Sequence, residues 1–319
     1  MSGGKWRRFC VVGIGGHART KLLPALLASG QDVVGLVSNQ PAGELPCGPV
    51  FNRLDAALAA LPADTVIVIA TPPDLHFEQA RIAIEAGHDV VVEKPAFVRT
   101  EQARELAGMS QARATVLVEG LMHRHTGLYA RLLDHWRTHR SQIVGLDLTF
   151  SIPAMPPGTF RQHSNVESSC LFDMGCYIVS LLSDLGLGLD GLEMRDASSS
   201  QRGETIMVGG TLDGVEVTAR FGVSAEYRNV VAIRMRDGRR MHFQPFFYGR
   251  PGEKHVSTEE GNAIDEQVFS DPDAFRTMFN VTRAAWLDSQ PARMAELIEV
   301  TRALERLGEA LTWRRGHAS

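Results

Sequence analysis

The chain has 319 residues and a mass of 34.9 kDa, which at about 150 residues per domain points to two domains. Hydrophobic residues make up 44 % and charged residues 22 %, a balance that supports two cores and excludes wholesale disorder. The 33 Lys and Arg against 37 Asp and Glu leave a formal charge of −4, so no general attraction to nucleic acid or an anionic membrane is implied. Cys10, Cys47, Cys170 and Cys176 form neither a CxxC pair nor a dense disulfide framework. Met1 to Arg8 lacks the apolar core of a signal peptide, and no stretch reaches the roughly 18 to 20 apolar residues needed to span a bilayer. The expected location is the cytoplasm.

Phe9–Val12 is an apolar run that ends in Gly13-Ile14-Gly15-Gly16, after which His17–Ala28 has helical spacing through Leu22, Leu23, Leu26 and Leu27. Val33–Val37 is a second strand, Leu54–Leu61 a helix, and Thr65–Ala70 a third strand that stops at Thr71-Pro72-Pro73. Leu75–Glu85 is helical up to Gly87, Asp89–Val92 is a strand, Thr100–Gly108 a helix and Thr115–Val118 a strand. Continuous apolar strands alternating with helices predict a parallel sheet covered on both faces. A boundary near Gly120 separates a dinucleotide-binding domain over residues 1–120 from a second domain over residues 121–319.

The second half is patterned differently. His125–His139 and Cys170–Leu185 read as helices and Gln142–Phe150 as a strand. Ser198–Gly203 reads as a polar loop. Thr205–Leu212 and Val215–Phe221 flank Asp213-Gly214, and Val230–Met235 and Arg240–Phe246 flank Asp237-Gly238, two hairpin signals. Helices around Pro272–Leu287 and Ala292–Leu307 close the chain. The fold class is therefore α/β: a Rossmann domain, then an α/β domain with a mainly antiparallel open sheet.

Gly13-x-Gly15-x-x-Ala18 follows a strand and opens a helix, the context that a dinucleotide fingerprint requires. Gly13 allows the tight turn, Gly15 the approach of a pyrophosphate, and Ala18 the packing of helix on strand. Backbone N–H groups of Gly16 and His17 at the helix start face the phosphates. A glycine turn alone is also a plain bend; the flanking βα units are what favour the nucleotide. About 20 positions further on, where an NAD site places an acid on the ribose, stand Ser38 and Asn39. Small polar residues there favour NADP, with NAD the alternative. Arg19 is near enough in sequence to contribute, or is a solvated helix residue.

Thr71-Pro72-Pro73-x-x-His76, Glu93-Lys94-Pro95 and Asp173-Met174-Gly175-Cys176-Tyr177 follow the glycine turn in an order that resembles the glucose–fructose oxidoreductase and inositol dehydrogenase (Gfo/Idh/MocA) family. The resemblance covers most of the chain. It implies that Thr71, Pro72 and His76 line the dinucleotide, that Glu93 contacts the nicotinamide ribose or orients Lys94, and that Lys94 holds a substrate oxygen. An ammonium at a strand's carboxyl end is suited to stabilising a developing alkoxide. Tyr177 follows Asp173 by four positions, which on one helix places both on the same face. A phenol with an ordinary pKa near 10 is a credible proton donor for carbonyl reduction. Many members have histidine at this position; the tyrosine-containing subset resembles sugar oxidoreductases and ketoreductases of nucleotide sugars.

Glu119-Gly120-Leu121-Met122-His123-Arg124-His125 resembles the sugar-active subset's crossing into the second domain, where Arg124 or His125 contacts substrate hydroxyls or phosphate, unless both form an exposed basic turn. Arg161 is a weaker candidate of the same kind. Val166–Phe172 replaces the family's glycine-rich approach to the aspartate, and Glu167 is a candidate for recognising hydroxyls or an amine. Phe246–Pro251 supplies a further pocket wall or packs the sheet. No metal-ligand cluster is visible.

These features imply an NAD(P)-dependent oxidoreductase moving hydride between nicotinamide and a carbinol or ketone carbon of a sugar, cyclitol or nucleotide-linked ketosugar, with reduction favoured. Reduction of a non-sugar ketone or imine, and a non-catalytic dinucleotide-binding regulator, are the alternatives. The family implies a homodimer or higher homo-oligomer; neither nucleic acid nor membrane is an expected partner.

Overall fold

The computed structural model describes residues 7–39, 47–154, 169–200, 203–223 and 226–317. Two compact units emerge: Met1–Met122 together with Phe275–Ile298, and His123–Ala274 together with Glu299–Ser319. The sequence carries no mark of the return of Phe275–Ile298 to the first unit.

In the first unit, β1 (Arg8–Val12), β2 (Asp32–Val37), β3 (Val50–Phe51), β4 (Val66–Ile69), β5 (Val90–Val92) and β6 (Leu117–Glu119) form a parallel sheet in the order β3-β2-β1-β4-β5-β6. The strands are apolar throughout because both faces are covered. Cys10, Val12, Ile67, Ile69, Val90 and Val92 pack against Ala80, Ala83 and Ile84 of α3 (Pro73–Glu85) and Ala103 and Leu106 of α4 (Thr100–Arg113). Burial in this core pushes the Cys10 thiol up to about 12, so it behaves as a small hydrophobe. A π-helical turn over Ala18–Leu22 leads into α1 (Leu23–Ala28), and α2 (Leu54–Ala60) follows β3.

The returning segment is fastened by polar groups as well as apolar ones. The buried Gln290 amide donates to Ser110 Oγ and Thr115 O, both at 2.9 Å. Arg283 Nε donates to Asp89 Oδ2 at 2.6 Å, while Asp89 Oδ1 accepts the Val116 N–H at 2.8 Å. The helix carrying both, α9 (Arg283–His317), runs without interruption through Pro291, where the sequence pattern had placed a break. A separate short helix, α8 (Ala274–Phe279), precedes it.

The second unit is built on eight strands in the order β14-β13-β12-β11-β7-β10-β9-β8. They are β7 (Ile143–Ile152), β8 (Glu193–Ser200), β9 (Gly203–Leu212), β10 (Val215–Val223), β11 (Arg228–Met235), β12 (Arg240–Gln244), β13 (Gly252–Glu260) and β14 (Ala263–Asp271). Every pairing is antiparallel except β7 with β10, so the expected mainly antiparallel sheet is present with one parallel seam. Helices α5 (Gly127–His139), α6 (Cys170–Asp173) and α7 (Gly175–Asp184) belong to this unit, as does the end of α9 from Glu299.

Three further readings need correction. Ser198–Ser200 is strand, the end of β8, because its backbone pairs with β9 despite its polar side chains. β13 and β14 were not anticipated: their sequences are polar, and most of β14 is exposed on both faces, so no alternation survives. Their only local signal is Gly261-Asn262, a two-residue hairpin dipeptide. The helix expected over Cys170–Leu185 is two helices broken at Met174. There the chain brings Gly175 against Phe221, whose ring would lie 3.2 Å from a Cβ. Among the described residues no helix is long and apolar enough to cross a membrane.

Asp271 ties the end of β14 to α5 by accepting the N–H groups of Gly127 (2.9 Å) and Leu128 (3.1 Å). Two charge-assisted bonds at a helix start predict that Asp271→Ala costs about 1.5–3 kcal/mol. Thermal melting of the purified variant checks this; an unchanged melting temperature would remove Asp271 from the account of how α5 is held.

Candidate active site

At the carboxyl edge of the first sheet, β1 lies between β2 and β4, and the chain leaves in opposite directions on its two sides. This is the crevice where open α/β sheets take ligands. The Gly13 N–H donates to Val37 O at 2.9 Å and the Ala70 N–H to Val12 O at 2.8 Å, fixing both walls. Between them lies a cleft of about 880 Å³, large enough for a cofactor-sized ligand.

The glycines of the turn have separate duties. Gly13 has φ +90°, and a Cβ there would lie 2.8 Å from both Thr71 N and Thr71 Cγ2. Gly15 has nothing within 4 Å of its Cβ position, so its missing side chain leaves open space in the cleft wall. An open cradle of backbone before a helix is what a pyrophosphate fits, so the residues present suit a nicotinamide dinucleotide. Arg19 lines the same cleft with its Nε bonded to Ile14 O at 3.1 Å. Gly16 and His17 are exposed, and Ala18 is fully buried at the start of the π-helical turn.

Ser38 and Asn39 line the far end of the cleft, with Ser38 buried and Asn39 exposed. The Ser38 N–H donates to Phe51 O at 3.0 Å, which brings Asn52, Arg53, Leu54 and Asp55 into the wall. The sequence reading missed these four, because they stand in the turn after β3 and the first residues of α2, away from the glycine turn. The opposite wall consists of Ala70, Thr71 and Pro72, continued by Leu75, Gln79 and Ile82 of α3. Thr71 Oγ1 donates to Gln79 Oε1 at 2.7 Å.

His76 stands behind that wall. It is buried, is not among the residues lining the cleft, and has Nε2 2.8 Å from Thr71 O and Nδ1 3.0 Å from Pro95 O. Burial holds the imidazole below its usual range, against the pull of the two carbonyls. His76 thus ties the Thr71-Pro72 turn to the loop that carries Glu93-Lys94-Pro95. Lys94 is half-buried, one residue beyond Glu93, whose N–H donates to Ile69 O at 2.8 Å. The Glu93 side chain is buried, with Oε1 3.2 Å from His17 Nε2. Glu119 Oε1 accepts the Ala96 N–H at 2.9 Å just past the cis Lys94–Pro95 peptide.

In the second unit, Met122–His125 forms a 3₁₀ turn before α5. The Arg124 side chain is buried, with Nε 2.8 Å from Asp184 Oδ2, and the Tyr129 hydroxyl donates to the same oxygen. Arg124 is therefore neither on an exposed turn nor open along its Nε edge. His125 is half-buried. Tyr177 and Asp173 stand on separate helices, α7 and α6, so the single-helix argument for their shared face does not hold. Tyr177 is buried and Asp173 half-buried.

Tyr177 belongs to an aromatic box. Its ring centroid lies 5.1 Å from His123, 5.7 Å from Phe150 and 5.7 Å from Phe247. His123 is fully buried, with neither ring nitrogen hydrogen-bonded, and is also edge-on to Tyr129 at 5.5 Å and Phe247 at 5.4 Å. Burial holds its pKa well below the usual range. Two straps hold the wall of the box. Asn229 Oδ1 accepts the Phe247 N–H at 2.7 Å, and the buried Lys254 ammonium donates to Tyr248 O at 2.8 Å and Pro245 O at 3.3 Å. Arg161 and Glu167 lie outside the described residues.

Comparison with known proteins bears on this geometry. Residues 7–121 match the family GFO_IDH_MocA, an oxidoreductase family with an NAD-binding Rossmann fold. Over these residues, which span the first unit's sheet, the chain is similar to the Gfo/Idh/MocA oxidoreductases. It is 27 % identical over 236 residues to a dTDP-3,4-didehydro-2,6-dideoxy-alpha-D-glucose 3-reductase of Streptomyces antibioticus, covering 70 % of this chain and 71 % of that one. A protein of the same description from Actinomadura kijaniata is 29 % identical over 179 residues, and the match spans only about half of each chain, 54 %. Among solved structures, KijD10, a 3-ketoreductase from Actinomadura kijaniata in complex with NADP and TDP-benzene, superposes with a TM-score of 0.78 at 21 % identity. That superposition covers 94 % of this chain and 96 % of KijD10 and shows the shared fold.

The two glycines of the turn predict different failures. Gly13→Ala destabilises the protein, whereas Gly15→Ala leaves the melting temperature within about a degree and weakens dinucleotide binding at least about tenfold. Melting curves and dinucleotide titration of both variants check this; equal destabilisation would remove the distinction.

His123 sets a pH dependence whose sign is fixed. Its imidazole stays neutral in the fold and takes a proton near pH 6.5 when unfolded, so stability present above that pH is lost as pH falls below it. His123→Phe keeps a ring in the box and removes this component. Its melting temperature should fall less than the wild type's between pH 7 and pH 5; parallel curves would refute the assignment.

Proposed function

We propose that the protein is an NADP-preferring ketoreductase of a nucleotide-linked sugar, acting on a ring ketone. The observation that carries this reading is the position of Lys94, immediately beyond β5 on the sheet edge that also holds the Gly13–Gly15 cradle, Ser38 and Thr71. The bound nicotinamide supplies the hydride. Lys94 holds the ketone oxygen and stabilises the negative charge that develops there as the carbon is reduced. Tyr177 delivers its phenolic proton to that oxygen, and Asp173 orients the donor. A phenol is protonated at neutral pH and is thus ready for reduction, whereas oxidation would need it ionised first.

The absence of a carboxylate at Ser38-Asn39 supports NADP over NAD, and the description of KijD10 as an NADP complex is in keeping with that preference. The names of the Streptomyces and Actinomadura relatives support a dTDP-linked substrate. A homodimer formed by the second unit and a cytoplasmic location belong to the same proposal. Ile264 and Val268 of β14, 70 % and 51 % exposed, give the sheet an apolar surface suited to such a contact.

Lys94→Met removes the ammonium while keeping most of the length of the side chain, and Tyr177→Phe keeps the ring without its proton-donating hydroxyl. Losing the ammonium in the first and the whole phenolic hydroxyl in the second, each should lower turnover of a dTDP-linked 3-ketosugar by at least about 100-fold and leave NADPH binding within about threefold. Steady-state turnover with parallel fluorescence titration of NADPH measures both. Unchanged turnover in Lys94→Met would sink the mechanism.

A further inference from the structure

The preference for NADP lacks a cation in the usual place. An arginine close to the end of the second strand is the common partner of the adenosine 2′-phosphate. From Val37 to Asn52 this chain has no Lys or Arg at all. Ser38 and Asn39 remove the acid that would repel the phosphate, yet neither can neutralise it.

The sheet supplies the charge from its outermost strand. β3 pairs in parallel with β2, Leu36 beside Val50 and Val37 beside Phe51. Just past the ends of these two strands, Ser38 and Asn39 on one side and Asn52 and Arg53 on the other line the same cleft. The Ser38 N–H to Phe51 O bond, 3.0 Å, holds the two strand ends together. Arg53 lines the dinucleotide cleft here, and its side chain is 77 % exposed. Arg19 lines the cleft too, but at the glycine turn, bonded to Ile14 O.

The Arg53 guanidinium is held in place. Its Nε donates to Asp55 Oδ1 at 3.0 Å and its Nη2 to Oδ2 at 2.8 Å, while Asp55 Oδ1 also accepts the Ala56 N–H at 2.9 Å. That bidentate contact occupies the Nε edge and leaves the Nη1 edge, with its two N–H donors, for a ligand. Asp55 thus fixes the plane of the fork before any phosphate arrives. Among the described residues that line this end of the cleft, Arg53 is the cation.

We infer that Arg53, delivered by the turn from β3 into α2 and oriented by Asp55, is the specificity-determining residue that reads the adenosine 2′-phosphate. The inference rests on the NADP reading above and adds the residue that enforces it. A guanidinium that meets the phosphate and little else of the nucleotide discriminates between the two cofactors without contributing to the binding of both.

The test is equilibrium binding, independent of turnover. NADPH and NADH are titrated into the wild type, Arg53→Ala and Arg53→Glu, following energy transfer from the protein's Trp residues. The competitors 2′,5′-ADP and 5′-ADP report the adenosine end alone. The wild type should prefer NADPH and 2′,5′-ADP. Arg53→Ala should weaken both of these by about 10- to 100-fold and leave NADH and 5′-ADP within about twofold. Arg53→Glu should reverse the preference. Arg53 is exposed, so melting curves of the variants should overlay the wild type's. A wild type that binds NADH more tightly overturns the NADP reading and this inference with it. A wild type that prefers NADPH, with a preference that survives Arg53→Ala, leaves the NADP reading standing and overturns the role of Arg53.

Discussion

The close approach of β1 to β4 at Gly13 is the constraint on which the first unit's chemistry depends. A Cβ at residue 13 would run into the Thr71 backbone, so the turn can pass there only as glycine. Because it passes there, β1 ends level with Ala70, and the crevice opens between two walls already hydrogen-bonded to it. Everything that lines the cleft is placed relative to that crossing: the Gly15 cradle ahead of it, Ser38 on one side and Thr71 on the other. His76 extends the same frame by packing between the Thr71 and Pro95 carbonyls, donating its one N–H to one of them, so the Thr71 turn and the loop of Lys94 meet at a buried imidazole.

The second unit is organised around a different requirement, the packing of Tyr177. Its ring is held by His123, Phe150 and Phe247, and the loop that supplies Phe247 is itself strapped by Asn229 and by the ammonium of Lys254. Lys254 is fully buried, and burial lowers its pKa, so its bonds to the Tyr248 and Pro245 carbonyls are what keep that charge tolerable. Such a box limits the positions open to a phenol, and that is what a proton donor needs if its hydroxyl is to stay aimed at one atom. The unpartnered nitrogens of His123 are a cost borne inside this box.

How much of this was legible in sequence varies with the reach of the interaction. The strands of the first unit announced themselves as apolar runs because they are buried on both faces. The two Asp-Gly turns located their hairpins because positive φ is a local demand. β13 and β14 left almost no trace, since β14 is exposed along most of its length and the inward side of β13 includes a lysine. The helix at Cys170 was drawn as one piece because its spacing is helical throughout; the break at Met174 comes from Phe221, which lies 46 positions beyond Gly175. Pro291 erred in the opposite direction, reading as a break within a helix that tertiary packing carries through.

By itself the sequence determined the fold class, the glycine turn and its dinucleotide, and the order of motifs by which the chain resembles the Gfo/Idh/MocA family. Each is written in neighbouring residues, where geometry follows from local chain chemistry. Tertiary structure alone decided the rest. It withdrew His76 from the cleft wall into a buried bridge, and it paired Arg124 with Asp184, 60 positions away. By pairing β2 with β3 it brought Arg53 into the cleft that Ser38 and Asn39 line, so that this cleft has a cation that the segment after β2 lacks. Such contacts join residues whose separation along the chain has no fixed relation to their distance in space, and only the packed sheet sets which of them meet.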